Sequence, residues 1–405
     1  MRRVSDLRTP DAESPGEAML AALLTRSHSL HPDDVPNAVA DAAAMIGASD
    51  VIVYMIDYDQ HLLVPLPRRG EDRDPDALEA LDVDATIGGR AYRSVEVHDT
   101  AVDGGRRLWV PVLDGAERMG VLALTVEERT PLCERRCRLL ASLVGELLVT
   151  KAAYGDTLEL AKRRQPMELA AELRWSVLPP LTFSGDRVEI TGILQPAYQI
   201  AGDSFDYALN GDLVHFAVID AMGHGLEASR IANLAMGSYR HSRRLGLDLL
   251  GTLRAMDLVI ADEFGSEKFV TGQLGTLDMT TGELHWLTAG HPRPLLLRNA
   301  HVIGQLSAEI CLPIGLGDVP AEVSVTQLEP DDGVLFFTDG VVEARAPDGD
   351  LFGLHRLTDL LERAASASVP APETLRRLSH AVLEHESGSL RDDATLLFLR
   401  WRGPH

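Results

Sequence analysis

The chain has 405 residues, of which 45% are hydrophobic and 24% are charged, and its formal net charge is −23. It is long enough for two domains with separate cores, and its acidity disfavours nucleic acid and anionic membranes as partners. No apolar run reaches the roughly 18 residues of a membrane span, and acidic, proline-rich sequence follows Met1-Arg2-Arg3 where a secretory leader would be apolar. We therefore expect a cytoplasmic protein with protein or small-molecule partners.

The chain has three cysteines, an odd number that supports no disulfide framework. Cys133 and Cys137 are four residues apart in a helical pattern, the spacing of one helix face. No further Cys or His is near them in sequence to complete a metal site. We expect both thiols to pack in or near a core.

Residues 1–15 lack periodicity and predict a disordered tail. Two helical patterns follow, at 16–27 and 35–46, and the second ends at a glycine, as helices often do. Runs rich in β-branched and aliphatic residues then predict antiparallel strands at 51–57, 61–65, 108–112 and 119–126. Residues 16–128 are thus expected to form an α+β domain.

The order of these elements is helix, hairpin, charged middle and second hairpin. This order resembles that of a GAF domain, as do the motifs Trp109-Val110-Pro111-Val112 and Arg118-Met119-Gly120-Val121-Leu122. A PAS-like fold is the alternative. The resemblance implies a sensor with a small-molecule ligand, although no residue identifies that ligand. We expect Trp109 to lie in the core.

Residues 129–178 are predicted to link this domain to the next. The segment 132–162 is helix-forming throughout, with a stripe at Leu140, Leu143, Leu147, Tyr154, Leu158 and Ala161. Such a stripe packs on its own domain or forms a two-stranded coiled coil, and the second alternative predicts a homodimer. After Pro166 a short helix at 167–178 ends before Pro179-Pro180, and its position between the domains suggests a lever for control or an inert spacer.

Two aspartates are predicted to meet at the end of a β-hairpin. The strands 203–209 and 213–219 flank a turn at Asn210-Gly211-Asp212. Antiparallel pairing across so short a turn brings Asp203 and Asp220 to the same edge of the sheet. Two carboxylates held this close call for a cation or for one shared proton.

Further aspartates flank two later strands. The apolar run Gly333–Thr338 leads into Asp339, and Asp392 stands just before the strand Ala394–Arg400. Each aspartate singly is more typical of a turn, but an all-oxygen set of this size favours a hard cation such as Mg²⁺ or Mn²⁺.

In this order, Asp203, Asp220, Asp339 and Asp392, with Gly290-His291-Pro292 between the second and third, resemble the PPM metal-dependent serine/threonine phosphatases. Within these, the pattern is similar to the bacterial SpoIIE/RsbU-like branch, over roughly 178–400. The resemblance implies that the four aspartates are the catalytic metal ligands, that the backbone carbonyl of Ala221 is a further ligand, and that two Mn²⁺ or Mg²⁺ ions are bound. The chain has Ala201 where the family commonly has glycine.

Four other residues near these motifs have weaker expected roles. Asp393 is the less favoured ligand of its doublet, because the family ligand corresponds to Asp392. His224 is expected in a turn, with phosphate contact as the alternative, and His291 is expected to be a structural loop histidine rather than an acid for the leaving group. Glu343 could reach the metals through water or could equally be solvated.

For residues 179–402 the resemblance implies an α+β fold with a two-sheet β-sandwich flanked by helices. It also implies hydrolysis of phosphoserine or phosphothreonine on a regulatory protein, an anti-sigma-factor antagonist, under control of the N-terminal sensor. The chain has no thiol-phosphatase Cys-x5-Arg motif and no Walker loop. The alternatives are a catalytically silent ligand-sensing scaffold and a metal-dependent cyclase or nuclease, for which no base-reading groups are evident.

Overall fold

The computed structural model describes residues 14–70, 79–199, 202–265, 267–317 and 321–404. The chain divides into two compact units, the first comprising Met1–Asp114 and Arg118–Arg164, and the second comprising Gly115–Glu117 and Gln165–His405. The tail predicted at 1–15 lies almost wholly outside the described residues. None of the helices in the described ranges is both long and apolar enough to span a membrane.

The first unit is a six-stranded sheet with helices. Its helices are α1 (Pro15–Ser27), α2 (Val35–Met45), α3 (Ile87–Ser94), α4 (Pro131–Ala152) and α5 (Thr157–Ala161). Its strands are β1 (Ser49–Ile56), β2 (Leu62–Pro65), β3 (Leu81–Asp82), β4 (His98–Val102), β5 (Gly105–Asp114) and β6 (Glu117–Val126). The strand order is β3-β2-β1-β6-β5-β4. The four strands expected from the sequence form the centre of this sheet, and the two missed strands are its edges.

The α4 helix differs from the sequence expectation. It ends at Ala152, and a turn that contains Gly155 separates it from α5, because glycine is a poor helix former. Leu140, Leu147 and Leu158 of the predicted stripe lie in the core of the first unit, whereas Tyr154 is 77% exposed. The stripe therefore packs on its own domain. Its buried leucines are not available to a second copy, and the homodimer stays a prediction without that support.

The second unit contains two six-stranded sheets. In the first sheet the order is β15-β12-β11-β10-β9, with β16 also paired to β12, and in the second it is β14-β13-β17-β18-β8-β7. The strands are β7 (Thr182–Ser184), β8 (Val188–Gln195), β9 (Asp203–Asn210), β10 (Leu213–Ala221), β11 (Val270–Asp278), β12 (Glu283–Ala289), β13 (Leu295–Arg298), β14 (His301–Gln305), β15 (Ile310–Cys311), β16 (Ser324–Gln327), β17 (Gly333–Phe337) and β18 (Ala394–Trp401). The helices are α6 (Leu169–Trp175), α7 (Gly225–Arg244), α8 (Leu249–Phe264), α9 (Asp339–Glu343), α10 (Gly353–Ser366) and α11 (Ala371–His385).

The two sheets pack face to face over an aromatic core. Phe205 and Phe216 from one sheet share a buried cluster with Phe336 from the other, and the rings of Phe216 and Phe336 lie 4.6 Å apart between centroids. Apolar residues of α7 and α8 pack on the outer face of the first sheet, and those of α10 and α11 pack on the outer face of the second. The predicted α+β sandwich flanked by helices is confirmed.

Truncation of one ring at the centre of the sandwich should strongly destabilise the second unit. We expect Phe336→Ala to lower the free energy of unfolding by about 3–5 kcal/mol, because it removes buried apolar surface and leaves a cavity. Denaturant unfolding followed by circular dichroism measures the change. Ile303→Ala is the control because Ile303 is 61% exposed, and it should stay within about 0.5 kcal/mol of wild type. A loss for Phe336→Ala as small as the control's would contradict this packing.

Candidate metal centre

The β9–β10 hairpin places Asp203 directly opposite Asp220. The connection is the two-residue loop Gly211-Asp212, and Gly211 has a φ of +63°, as the first position of a type II′ turn requires. Side chains alternate along a strand, so Asp203 and Asp220 share the inner face with Phe205 and Val218 of the sandwich core. The predicted meeting of these two carboxylates is therefore present.

The second sheet completes the same edge. Asp339 begins α9 directly after β17, and Asp392 precedes β18, the strand that pairs with β17. Thr338 joins the two sheets because its hydroxyl donates to Oδ2 of Asp203 at 2.7 Å and accepts from the backbone N–H of Thr395 at 3.0 Å. The four predicted aspartates therefore stand at the ends of strands from both halves of the sandwich.

Burial and mutual repulsion act on these carboxyl groups. Burial, followed by the charges of Asp220 and Asp393, raises the pKa of Asp203 well above its usual value. Burial, followed by the charges of Asp339 and Asp392, raises the pKa of Asp220 to about 7. Burial also raises the pKa of Asp392, with a smaller contribution from Asp339. Asp203, Asp220 and Asp392 thus each lie close enough to another carboxylate of this set for its charge to oppose their ionisation.

The oxygen ligands at this edge of the sandwich are suited to a hard divalent cation. All donors are oxygens, and like charges that repel one another in a buried setting are stabilised when a divalent cation is bound. Among the residues that the structure describes, however, no three Asp, Glu, His or Cys side chains stand close enough together to hold a metal ion as placed. The structure therefore brings the predicted ligands near Asp220, but their side chains do not adopt the geometry of a complete metal site.

The Ala221 carbonyl lies against the backbone that leads to Asp203. The Ala221 N–H donates to the carbonyl of Gly202 at 3.0 Å, and a Cβ on Gly202 would stand 2.3 Å from the carbonyl oxygen of Ala221. Glycine is therefore required at 202 for this close approach. Ala201, where the chain departs from the family pattern, lies outside the described residues.

Asp393 is engaged by protein groups. Its Oδ2 accepts from the Gly202 N–H at 2.7 Å, and its Oδ1 lies 3.7 Å from the Arg174 guanidinium. Burial raises the pKa of Asp393 to about 7, although Arg174 acts in the opposite direction. These contacts agree with the preference for Asp392 as the ligand of the doublet, and they assign Asp393 the task of holding the Gly202 loop.

Arg174 on α6 was not singled out from the sequence. It is 2% exposed and donates to the carbonyl of Pro196 at 2.6 Å, and its neighbour Trp175 donates to the carbonyl of Ala197 at 2.9 Å. Burial lowers the pKa of Arg174 to about 10. A single arginine in a short helix looks like a surface residue in sequence, so no pattern could have revealed this role.

The remaining predicted residues fall into two groups. His224 at the start of α7 and Glu343 at the end of α9 are exposed, and the Glu343 charge acts on Asp392. His291 is 3% exposed, its Nδ1 lies 2.9 Å from the Thr271 hydroxyl, and burial lowers its pKa to about 3. The enclosed ring and its contact with Thr271 fit the structural role expected for this loop histidine, which stays a prediction.

Comparison with known proteins adds independent information. Residues 210–402 match the family described as "Stage II sporulation protein E (SpoIIE)". This stretch is similar to that family over just under half of the chain. The resemblance to PPM phosphatases of the SpoIIE/RsbU branch is thereby confirmed, whereas the GAF-like assignment of the first unit stays a prediction.

Two curated relatives are similar to the same part of the chain. "Phosphoserine phosphatase RsbU" of Bacillus subtilis is 23% identical over 239 residues, which is 58% of this chain and 70% of that protein. "Protein IcfG" of Synechocystis is 23% identical over 264 residues, which is 58% of this chain and only 41% of that protein.

Solved structures also align with this part. The RsbU and RsbW domains of Rv1364c from Mycobacterium tuberculosis give 31% identity and a TM-score of 0.46, over 54% of this chain and 61% of that one. The SiaA-PP2C domain of Pseudomonas aeruginosa gives 22% identity and a TM-score of 0.48, over 57% of this chain and 94% of that domain.

The repulsion around Asp220 in the second unit predicts a pH-dependent stability of the metal-free protein. The folded chain keeps the Asp220 proton up to about pH 7, whereas the unfolded chain loses it near the ordinary pKa of 3.8. The unfolded state therefore binds fewer protons between these values, and this group's contribution to the free energy of unfolding falls as the pH rises through that window. Without metal at about pH 8, we expect Asp220→Asn to be more stable than wild type by on the order of 1–3 kcal/mol.

Denaturant unfolding with a chelator and with excess Mn²⁺ measures both effects. The advantage of Asp220→Asn should shrink towards pH 4, and Mn²⁺ should stabilise wild type more than the variant. Asp262→Asn is the control because Asp262 is exposed on α8, and it should behave as wild type throughout. If Asp220→Asn proves less stable than wild type in the chelator, the inferred repulsion is wrong.

Proposed function

We propose that the protein is a metal-dependent serine/threonine phosphatase that hydrolyses a phosphoserine or phosphothreonine monoester on a regulatory protein. The observation that carries the proposal is the cluster of Asp203, Asp220, Asp339 and Asp392 at one edge of the β-sandwich, in a unit that is similar to the SpoIIE family over residues 210–402. The relative RsbU is a phosphoserine phosphatase, which supports the same reaction class.

The chain's own residues would perform three tasks. Asp203, Asp220, Asp339 and Asp392, with the carbonyl of Ala221, would hold two Mn²⁺ or Mg²⁺ ions. Bound divalent ions supply neutralisation of phosphate charge and activation of water. Thr338 orients Asp203 through a 2.7 Å hydrogen bond, and Asp393 fixes the neighbouring Gly202 loop. His291 is not assigned the role of proton donor, because burial lowers the pKa of its ring and its Nδ1 contacts the Thr271 hydroxyl.

We further propose a substrate class and a means of control for this reaction. The substrate would be a regulatory protein of the anti-sigma-factor antagonist type, as the resemblance to the SpoIIE/RsbU branch implies. In Rv1364c of Mycobacterium tuberculosis, an RsbU domain occurs together with an RsbW domain. The first unit would act as the sensor, with a small molecule as its signal. We place the activity in the cytoplasm.

The decisive experiment is hydrolysis by the full chain. We expect Mn²⁺-dependent release of p-nitrophenol from p-nitrophenyl phosphate and release of phosphate from a phosphoserine protein. Asp220→Ala and Asp339→Asn should each lower kcat/KM by at least about 100-fold, because the charge stabilisation that bound metal supplies is worth several kcal/mol.

The exposed Asp262→Asn again serves as the matched control and should retain wild-type turnover. Turnover that persists in both site variants would place the chemistry elsewhere in the chain. A folded, Mn²⁺-binding protein without turnover on either substrate would favour the silent scaffold instead.

A further inference from the structure

A cavity of about 650 Å³ lies in the second unit, at the far end of the β9–β10 hairpin from Asp203 and Asp220. This volume falls within the range of about 300–1,000 Å³ that is usual for small-molecule sites. Its floor is the first sheet, and its roof is the last turn of α7, the loop 246–248 and the first turn of α8. None of the predicted metal ligands lines it.

The floor is a row of side chains across three strands. His215 of β10 pairs with Thr276 of β11, which pairs in turn with His285 of β12. Residues paired in this way share one face of a sheet. Ala217 and Ile219 of the same face are covered by α7 and α8, so the cavity opens where these helices stop covering the sheet.

The cavity is distinct from the metal edge. His215 and Asp220 are five residues apart along β10, which corresponds to roughly 17 Å at about 3.3 Å per residue. An odd number of residues also places their side chains on opposite faces of the sheet. A ligand in this cavity would therefore not compete with a substrate at the aspartates.

The roof carries a buried hydroxyl whose proton lacks an acceptor. Tyr239 lines the cavity and is 3% exposed. The Arg243 guanidinium lies beside the Tyr239 hydroxyl and donates to its oxygen, and no acceptor for the hydroxyl proton is found among the described residues. An unsatisfied buried hydroxyl is costly, and most such groups in proteins find an acceptor. A molecule bound beside Tyr239 would supply the missing acceptor.

The Arg243 side of the roof favours an anionic acceptor. Arg240 and Arg243 both pair at 2.8 Å with one carboxylate, that of Asp206, so the two guanidinium groups exceed this carboxylate by one positive charge. The positive end of the α8 dipole also faces the cavity. The Asp248 carboxylate in the lining caps α8 by accepting from the Gly251 N–H at 2.7 Å, and its negative charge opposes an anion on that side of the roof.

The remaining walls are largely apolar, with Leu213, Leu247, Leu249, Leu250 and Val323. We propose that this cavity is a binding site for a small molecule with an apolar body and one anionic group. The apolar body would lie against the leucines, and the anionic group would accept from the Tyr239 hydroxyl near Arg243.

The dye 8-anilinonaphthalene-1-sulfonate has this chemistry and becomes fluorescent in apolar sites, so it is the probe. We expect the full chain to bind it saturably at one site, with slower hydrogen exchange in residues 245–252. Thr276→Phe fills the floor and should weaken binding at least tenfold. Tyr239→Phe removes the donor and should weaken it about tenfold, as expected for a hydrogen bond to a charged group.

Ile303→Phe enlarges an exposed apolar side chain on the other sheet and is the matched control. It should bind the dye as wild type does. Circular dichroism and thermal melting check that each variant is folded, and Tyr239→Phe carries the test if Thr276→Phe is unfolded. Lack of saturable binding to wild type, or unchanged affinity in the folded cavity variants, would overturn the proposal.

Discussion

The repulsion between buried carboxylates at one end of the β-sandwich is the constraint that the rest of the second unit has to offset. Asp203 and Asp220 face each other on paired strands, and the charges of Asp339 and Asp392 reach Asp220 from the second sheet. Such an arrangement opposes folding in the absence of compensation. It persists because extensive apolar packing on both sides of each sheet stabilises the surrounding structure.

The protein groups around the carboxylates position them without neutralising them. Thr338 crosses from one sheet to the other to reach Asp203, and Asp393 accepts from the Gly202 N–H. Arg174 lies close to Asp393 and donates to the carbonyl of Pro196, in the segment between β8 and β9. A short helix before the sandwich thus shares a buried network with the edge that carries the predicted ligands, and rearrangement of that helix would disturb the loop at Gly202.

Much of the sandwich could be predicted from the sequence because its signals are local. The turn residues Asn210-Gly211-Asp212 indicate the β9–β10 pairing, and apolar runs indicate β17 and β18. The role of Arg174 could not be predicted, since its partners are far away in sequence. In the first unit, the two-residue strand β3 and the partly exposed edge strand β4 lack a clear period. The length of α4 was overestimated because helix propensity alone did not locate the turn at Gly155.

The two-residue loop at Gly211-Asp212 has a consequence well beyond its own position on the surface. Strand side chains alternate with a period of two, so the loop determines which face of the sheet receives each residue of β9. An inserted residue that slipped the pairing by one step would turn Asp203 outward, towards α7, and would bring the Asp206 carboxylate into the aromatic interior. Exposed hairpin tips usually accept changes in length. At this tip, a change in length is tolerated only if each side chain of β9 stays on its present face of the sheet.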